Sequence, residues 1–444
     1  MIDEDDEQNC FFLYALPDVW MPYLAFSKPV SARVFGEDSD RLVFPALRVI
    51  PMGWLSSCDV LQDIARGIAL KAGADPLAEI TPLAKLTDLT GEAWQNYIDN
   101  YFVFRVRDAA VADGLPSALA ERVRRAKGKL GIPLHVKKRK DGALEGKVLG
   151  AYVDGVGGTV GVKATERQLL MVAGLFLLYT PYPLLPDFLS WLGKWTFAAQ
   201  FVRALFSICH HVYHVADQYG PRYRGPVWLK SVVLEEVLIM VMLLPLADAN
   251  LRKPLLRFSD VGRAGNGVLV SASDASPTGG AAGFTSLDYH EASELVRQSE
   301  FRGAAVRLSD VAADLPLGRK MKPCTSFDPR GRRWQVAHAY PWRVGQHITL
   351  LEAHAVLLWL RKLLRHSFAH RRLLHVLDSY VCVATIAKGR SSSIRLNRIL
   401  RRIAALLLFA DLSLHPLWTR SELMPMDAPS RIKHRQRPRV PPDR

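Results

Sequence analysis

The hydrophobic pattern changes along the chain, and in residues 1–162 two periods alternate. Short runs rich in β-branched and aromatic residues are followed by segments in which apolar residues recur every three or four positions. The first pattern is typical of strands and the second of amphipathic helices, so we predict an α+β domain. The predicted strands cover 42–51, 97–105 and 147–153, and the predicted helices cover 60–71 and 119–127.

Residues 163–262 carry long apolar-periodic segments rich in Leu, Phe and Trp, with few strand signals. This pattern predicts a helical region. The predicted helices cover 169–177, 188–206 and 232–244.

Two apolar stretches of this region, 169–192 and 232–246, invite comparison with membrane spans. Three prolines and Asp187 interrupt the first, and Glu235 and Glu236 lie within the second. Because a span needs about 20 apolar residues, we predict no membrane segment.

In residues 263–431 short strand patterns alternate with longer helical ones, which indicates an α/β domain with a mixed sheet. The Pro- and Arg-rich residues 432–444 are predicted to form a disordered tail. The strands are predicted at 267–272, 281–285, 334–340, 373–377 and 412–418, and the helices at 350–366 and 395–408.

The charge points to a polyanionic partner. The 444 residues include 58 Lys and Arg against 43 Asp and Glu, a formal net charge of +15, which favours nucleic acid. Basic residues cluster at 122–140, 388–402 and 433–439. For each cluster, binding of a polyanion and an ordinary role as a solvated helix face or disordered tail are equally consistent with the sequence.

The cysteines and the N-terminus bear on the cellular compartment. The five cysteines are scattered without a CxxC pair, so neither a disulfide framework nor a zinc site is indicated. The acidic start, MIDEDDEQN, does not resemble a secretory signal. We therefore expect an intracellular protein of the cytoplasm or nucleus. The cysteines are Cys10, Cys58, Cys209, Cys324 and Cys382.

Four carboxylates of the last stretch stand in suggestive places. Asp274 ends the apolar run VLVSASDAS, at an expected exposed strand position, and Asp378 directly follows the buried strand LLHVL. Functional groups often lie at the carboxyl ends of such strands. Glu352 lies near the buried edge of a first helical turn, and Asp427 lies in a Pro-rich turn. Taken singly, each has an ordinary explanation as a turn, surface or capping residue.

Together, the segments SDASPTGG, LLEAHAV, HVLDSYV and PMDAPSR resemble the catalytic tetrad of the ribonuclease H family, in the order Asp, Glu, Asp, Asp. The resemblance implies that Asp274, Glu352, Asp378 and Asp427 coordinate two Mg²⁺ ions, with Mn²⁺ as an alternative, and that the substrate is the RNA strand of an RNA–DNA hybrid. Mg²⁺ prefers oxygen ligands, and two-metal hydrolysis of a phosphodiester requires several converging carboxylates.

The last segment is similar to the NxxADxxSR ending of ribonuclease H domains in DIRS-like retroelements. Three departures are visible in this chain. Leu423 or Met424 replaces the asparagine, and no histidine lies between Trp418 and Asp427. The long interval between Asp274 and Glu352 implies an insertion near 286–333.

Upstream motifs resemble the palm of reverse transcriptases. Asp6 is followed by two aromatics, VIPMGWLSSCDVLQ contains a Pro–Gly turn ahead of a helix, and NYIDNYFVF resembles the YxDD hairpin. The resemblance implies metal binding by Asp6 and Asp99, and contacts with template–primer nucleic acid by a further set of residues. That set is Gly53, Gln62, Tyr97, Lys137 and Lys138.

The resemblance implies a layout in which 1–162 form a palm, 163–262 a thumb or connection, and 263–431 a ribonuclease H-like domain. Asn100 stands where the second YxDD aspartate belongs, and the chain starts at the first palm motif, so we expect absent fingers and impaired DNA synthesis. The leading hypothesis is therefore a retroelement-derived ribonuclease H behind an impaired polymerase palm. The alternative is a non-catalytic nucleic-acid-binding relic. The sequence does not indicate an oligomeric state.

Overall fold

The computed structural model describes residues 1–81, 91–107, 114–219, 222–300 and 327–431. The predicted tail at 432–444, Cys324 and much of the predicted insertion lie outside this part. Within it, every helix is too short or too polar to cross a membrane. The chain divides into two compact units, Met1–Gly146 and Lys147–Arg444.

The first unit is built on an antiparallel sheet with strand order β4-β5-β1-β6. Trp94 of an edge strand and Tyr101 of the neighbouring inner strand form a core with Leu119 and Val123 of a helix. The predicted mixture of strands and helices is confirmed. Its strands are β1 (Ile2–Asp6), β2 (Val30–Ser31), β3 (Leu42–Val43), β4 (Glu92–Tyr97), β5 (Asn100–Arg105) and β6 (Lys140–Ala143), and its helices are α1 (Cys10–Leu13), α2 (Ser57–Lys71) and α3 (Ala118–Lys129).

Two strand predictions in this unit need correction. The strand predicted at 42–51 ends at Val43. Pro45 and Pro51 follow, and since proline donates no backbone hydrogen bond, this segment makes only isolated bridges. The strand predicted at 97–105 is the end of β4, a turn in which Ile98 has φ 55°, and all of β5.

The second unit begins with a small sheet, β10-β9-β8-β7, and a helical region whose core contains Phe188, Trp191, Trp195 and Met240. The strand predicted at 147–153 is broken by Leu149 and Gly150, whose φ angles are 48° and 87°. The strands are β7 (Glu145–Val148), which spans the unit boundary, β8 (Ala151–Asp154), β9 (Thr159–Gly161) and β10 (Ala249–Asn250), and the helices are α4 (Ala164–Tyr179), α5 (Leu185–Ala199), α6 (His211–Gln218) and α7 (Ser231–Leu243).

The predicted mixed sheet is confirmed as a five-stranded sheet with order β13-β12-β11-β14-β15. The β11–β12 and β12–β13 pairs are antiparallel, whereas β11–β14 and β14–β15 are parallel. The strands are β11 (Val268–Ala275), β12 (Gly279–Leu287), β13 (Gln335–Pro341), β14 (Arg372–Leu377) and β15 (Ser413–Trp418), and the helices are α8 (Tyr289–Gln298), α9 (Ile348–Leu363), α10 (Tyr380–Lys388), α11 (Ile394–Phe409) and α12 (Asp427–Ser430).

Apolar side chains cover both faces of this sheet. Leu357 of α9 and Leu400 of α11 belong to the core on one face, and Val296 of α8 belongs to the core on the other. Because β11 and β14 are parallel neighbours, their carboxyl ends lie side by side at one edge, the usual location of a functional site in such sheets.

Candidate metal centre

Three of the four predicted tetrad carboxylates converge at this edge. Asp274 is the penultimate residue of β11, Asp378 directly follows β14, and Glu352 lies in the first turns of α9. One carboxylate oxygen from each residue lies within 4.8 Å of the other two. The parallel register, in which Val270 is paired with Leu374, brings the two strand ends together.

The converging carboxylates are largely removed from solvent. Asp274 is 2% exposed and Glu352 5% exposed, and Asp378 is half-buried. The exposed position expected for Asp274 is therefore wrong. β11 lies inside the sheet, between β12 and β14, so a residue near its end is still covered.

Each of the three carboxylates keeps an oxygen without a hydrogen-bond partner: Asp274 Oδ2, Glu352 Oε2 and Asp378 Oδ1. None of them forms an ion pair with a basic residue of the described ranges. Burial of unpaired carboxylates is unfavourable. The arrangement is thus incomplete without a proton or a cation.

The pKa values also show that the charged forms of these buried carboxylates are unfavourable. Burial, and then the charges of Asp274 and Asp378, raise the pKa of Glu352 to about 9. Burial also raises the pKa of Asp274 to about 6, although a contact with Ser430 opposes the shift. A divalent cation would replace the protons, because it attracts the charged forms. Three hard oxygen donors with free oxygens fit such a cation.

Asp427 stands beside this cluster, with its own partner. It is the first residue of α12, and Arg431 donates to both of its carboxylate oxygens, at 2.8–3.1 Å. The charge of Asp427 still contributes to the raised pKa of Asp274, so the two carboxylates are near each other. Its side chain does not cap α12.

His375 is a residue of this site that the sequence analysis did not single out. It is fully buried in β14, where Ser271 Oγ lies 2.8 Å from its Nδ1 and Ser273 Oγ 2.9 Å from its Nε2. Both serines belong to β11, so the imidazole joins the two strands that carry Asp274 and Asp378. The sequence signal was a histidine within an apolar run, opposite a segment with alternating serines.

Ser276 fixes the other side of the site. Its hydroxyl donates to the Ser430 carbonyl oxygen at 2.8 Å, and it accepts from the Gly279 backbone N–H at 3.1 Å. The β11–β12 turn is thereby tied to α12, the helix that begins with Asp427.

In the first unit, Asp6 ends β1 and is 6% exposed. Its Oδ2 lies 2.9 Å from Lys138 Nζ, and its Oδ1 lies 3.5 Å from His135 Nε2. Asp99 lies in the β4–β5 turn, where it accepts from the Asn100 side-chain amide at 3.1 Å. Neither aspartate belongs to a group of three metal-ligating side chains within the described ranges.

Two of the remaining predicted contact residues lie at the β4–β5 hairpin and the turn before α2. Gln62 of α2 donates to the Asn96 carbonyl oxygen at 2.9 Å and accepts from the Ile98 N–H at 2.8 Å, so both ends of its amide hold the hairpin. Gly53 has a φ of 92° in the turn before α2, as the Pro–Gly pattern predicts. Tyr97 and Lys137 are exposed.

No protein-family model matches the sequence, and no curated protein matches it significantly. Among solved structures, it is similar to foamy viral protease-reverse transcriptases: one, designated dRH, in complex with double-stranded DNA (12% identity, TM-score 0.40), one with an RNA/DNA hybrid (14%, 0.38) and one with double-stranded DNA (14%, 0.39). These matches cover 94–95% of this chain and 56–67% of the others.

Proposed function

We propose that Lys147–Arg444 hydrolyses the RNA strand of RNA–DNA hybrids, as a ribonuclease H of retroelement origin that uses two Mg²⁺ ions. One observation carries the proposal: Asp274, Glu352 and Asp378, which match the tetrad of that family in order and context, converge within 4.8 Å. Each retains an unpartnered oxygen. A structural ion-pair network would have supplied basic partners instead.

The side chains have distinct tasks in this proposal. Asp274, Glu352 and Asp378 hold the cations through their free oxygens, with Mn²⁺ as a substitute for Mg²⁺. When bound, the two ions activate water and stabilise the departing oxygen. Glu352 loses its proton on metal binding. Asp427 joins the ligands when its carboxylate turns from Arg431, an exposed pair of the kind that contributes about 0–1 kcal/mol.

We further propose that Met1–Gly146 derives from a reverse transcriptase palm and makes little or no DNA. Asp6 is bound by Lys138, and Asn100 directs its amide to Asp99 instead of adding a carboxylate. Template–primer nucleic acid is the expected partner of this unit. Weak cation binding there follows, because one carboxylate is lost and another is already neutralised.

The test is Mg²⁺-dependent cleavage of a labelled RNA–DNA hybrid by the purified chain. Asp274→Asn and Asp378→Asn should each reduce cleavage by on the order of 10³-fold or more, since each removes a charged ligand from a two-metal site. Glu294→Gln is the matched control, because Glu294 is an exposed acid on α8. Hybrid binding without cleavage in the unmodified chain would instead support a non-catalytic relic.

A further inference from the structure

One of the basic clusters has no acid near it in sequence. Between Asp378 and Asp411 the chain contains no Asp or Glu. The basic residues of this interval are Lys388, Arg390, Arg395, Arg398, Arg401 and Arg402. A solvated helix face would normally mix both signs of charge, so this interval is unusual.

The arginines of α11 lie on different faces of the helix. Leu396, Ile399, Leu400 and Ile403 are buried in the core. The exposed residues Arg395, Arg398 and Arg402 follow one another at three and four positions, a spacing that aligns them along one side of a helix. Arg401 points elsewhere and pairs with Glu236 at 2.8 Å.

Arg361 of α9 extends this set across the neighbouring helix. Arg361 is exposed on α9, and α9 packs directly against α11. We call Arg361, Arg395, Arg398 and Arg402 the arginine face. None of the four has an ion-pair partner within the ranges that the structure describes.

The arginines also lie where the helix itself disfavours them. Arg395 is in the first turn of α11, which contains no acidic residue, and Arg390 lies in the short connection between Lys388, the last residue of α10, and α11. A helix N-terminus carries a partial positive charge, so cations there cost stability. The same end attracts phosphate through both its dipole and its free N–H groups. These arginines are therefore unfavourable for the protein alone but favourable for binding an anion.

We propose that the arginine face binds the phosphate backbone of duplex nucleic acid. This deepens the proposed function, on which it rests, by assigning a substrate-holding surface apart from the carboxylates. Arg361 lies nine residues beyond Glu352 on α9, roughly 13 Å along the helix axis. The surface thus contacts the duplex away from the cleaved bond. From Arg395 to Arg402 it spans roughly 10 Å, and a backbone strand presents a charge about every 3.4 Å of axis.

A duplex fits this surface better than an anionic membrane does. An interfacial helix inserts its apolar face between lipids. The apolar face of α11 is instead buried in the protein core. What remains outside is charged, with Ile394 and Phe409 exposed only at the two ends of the helix.

The test compares two triple variants of the full chain by the binding of a labelled RNA–DNA hybrid in EDTA, where no cleavage occurs. R395Q/R398Q/R402Q removes the arginine face. R33Q/R41Q/R48Q removes the same charge from exposed arginines that have acid partners. The first variant should raise the Kd about tenfold or more at low salt and reduce the slope of log K against log salt by about 2–3. The control should change Kd less than twofold.

Two further readouts separate this role from a structural one. The Tm of the R395Q/R398Q/R402Q variant should stay equal or rise, because repulsion and an unfavourable dipole interaction are removed. If the chain cleaves hybrid, KM should rise while kcat is kept. A wild-type Kd and salt slope in this variant would overturn the proposal, as would a loss of binding confined to phosphatidylserine vesicles. Because binding is measured without cleavage, an inactive chain would sink only the catalytic proposal.

Discussion

In Met1–Gly146 every buried carboxylate of the described residues has a basic partner, whereas Asp274, Glu352 and Asp378 in the second unit have none. The pairs of the first unit are Asp3–Arg105, Asp5–Arg124, Asp6–Lys138, Glu7–Lys127 and Glu79–Arg66.

This difference separates two uses of a buried acid. A carboxylate with its own lysine or arginine is electrically complete and can serve the fold. A carboxylate without one must take up a proton or an external cation, and the pKa of Glu352, raised to about 9, records that need. Acid content alone does not identify a metal site. The informative feature is the absence of a basic partner.

The largest expected effect tests the buried ion pairs of the first unit. Lys127 is 1% exposed, and its Nζ lies 2.9 Å from Glu7 Oε1. Lys127→Met should lower the free energy of unfolding of the first unit by about 3–5 kcal/mol, because it leaves a buried charge without a partner. Chemical denaturation measures this loss.

The double variant Lys127→Met/Glu7→Leu serves as the control, since it removes both charges. It should recover much of the loss. Equal stability of the single variant and the wild type would show that Glu7 does not need its lysine, and the comparison of the two units would fail.

The next prediction concerns Asp274, Glu352 and Asp378, which have no basic partner among the described residues. At saturating Mg²⁺ or Mn²⁺ the second unit should gain about 1–3 kcal/mol of stability, because the ion binds only the folded state. Glu352→Gln should abolish most of this gain, and in EDTA at neutral pH it should raise the stability, because folding must protonate Glu352, whose pKa is raised in the fold, but need not protonate a glutamine. Thermal unfolding with and without the ion measures both quantities. Glu294→Gln should keep the full gain, and a full gain in Glu352→Gln would remove Glu352 from the ligands.

The β11–β14 pair offers a smaller test, because a neutral group joins its strands. Burial lowers the pKa of His375 to about 3, against about 6.5 in an unfolded chain. The unfolded state therefore binds the additional proton between these pH values, and stability is lost as pH falls through that window. Relative to His375→Gln, the wild type should lose about 1.4 kcal/mol per pH unit below 6, or about 2 kcal/mol by pH 5.

The comparison with His375→Gln is needed because Asp274 and Glu352 have raised pKa values, so their protonation stabilises the folded protein as the pH falls. Both proteins carry these acids, so the difference isolates the histidine. A pH-independent difference would mean that His375 titrates normally or is charged in the fold.

The sequence predicted the elements whose signal is local. The helix predicted at 395–408 is Ile394–Phe409, and the strand at 373–377 is Arg372–Leu377, because the apolar period by itself decides both. β1 was not predicted as a strand, since its acids fall on both faces. Asp3 and Asp5 are buried beside Arg105 and Arg124, about a hundred positions away in sequence, which neutralise them.

The same limit applied to the candidate site. Local context singled out Asp274, Glu352 and Asp378, and the burial of Glu352 followed from its helix face. That the three oxygens meet depends on the parallel pairing of β11 with β14, which no local pattern contains. The absence of basic partners is a property of the fold around them. Asp427–Arg431 is the exception, since an i,i+4 pair could be read from sequence alone.

The smallest expected effect is an unchanged primer-extension activity, and it tests the ion-paired acids of the first unit. Asn100→Asp adds a second carboxylate next to Asp99, yet primer extension by the purified chain should stay at the background of the wild type. The reason lies in Asp6, which Lys138 already neutralises at 2.9 Å, so the added charge meets a repelling Asp99 rather than a shared cation. Asn100→Asp/Lys138→Met frees Asp6 and is the sharper variant. Robust extension by Asn100→Asp with Lys138 intact would show that an internal ion pair does not prevent a carboxylate from binding metal. The presence or absence of a basic partner would then no longer distinguish the acids of the first unit from those of the second.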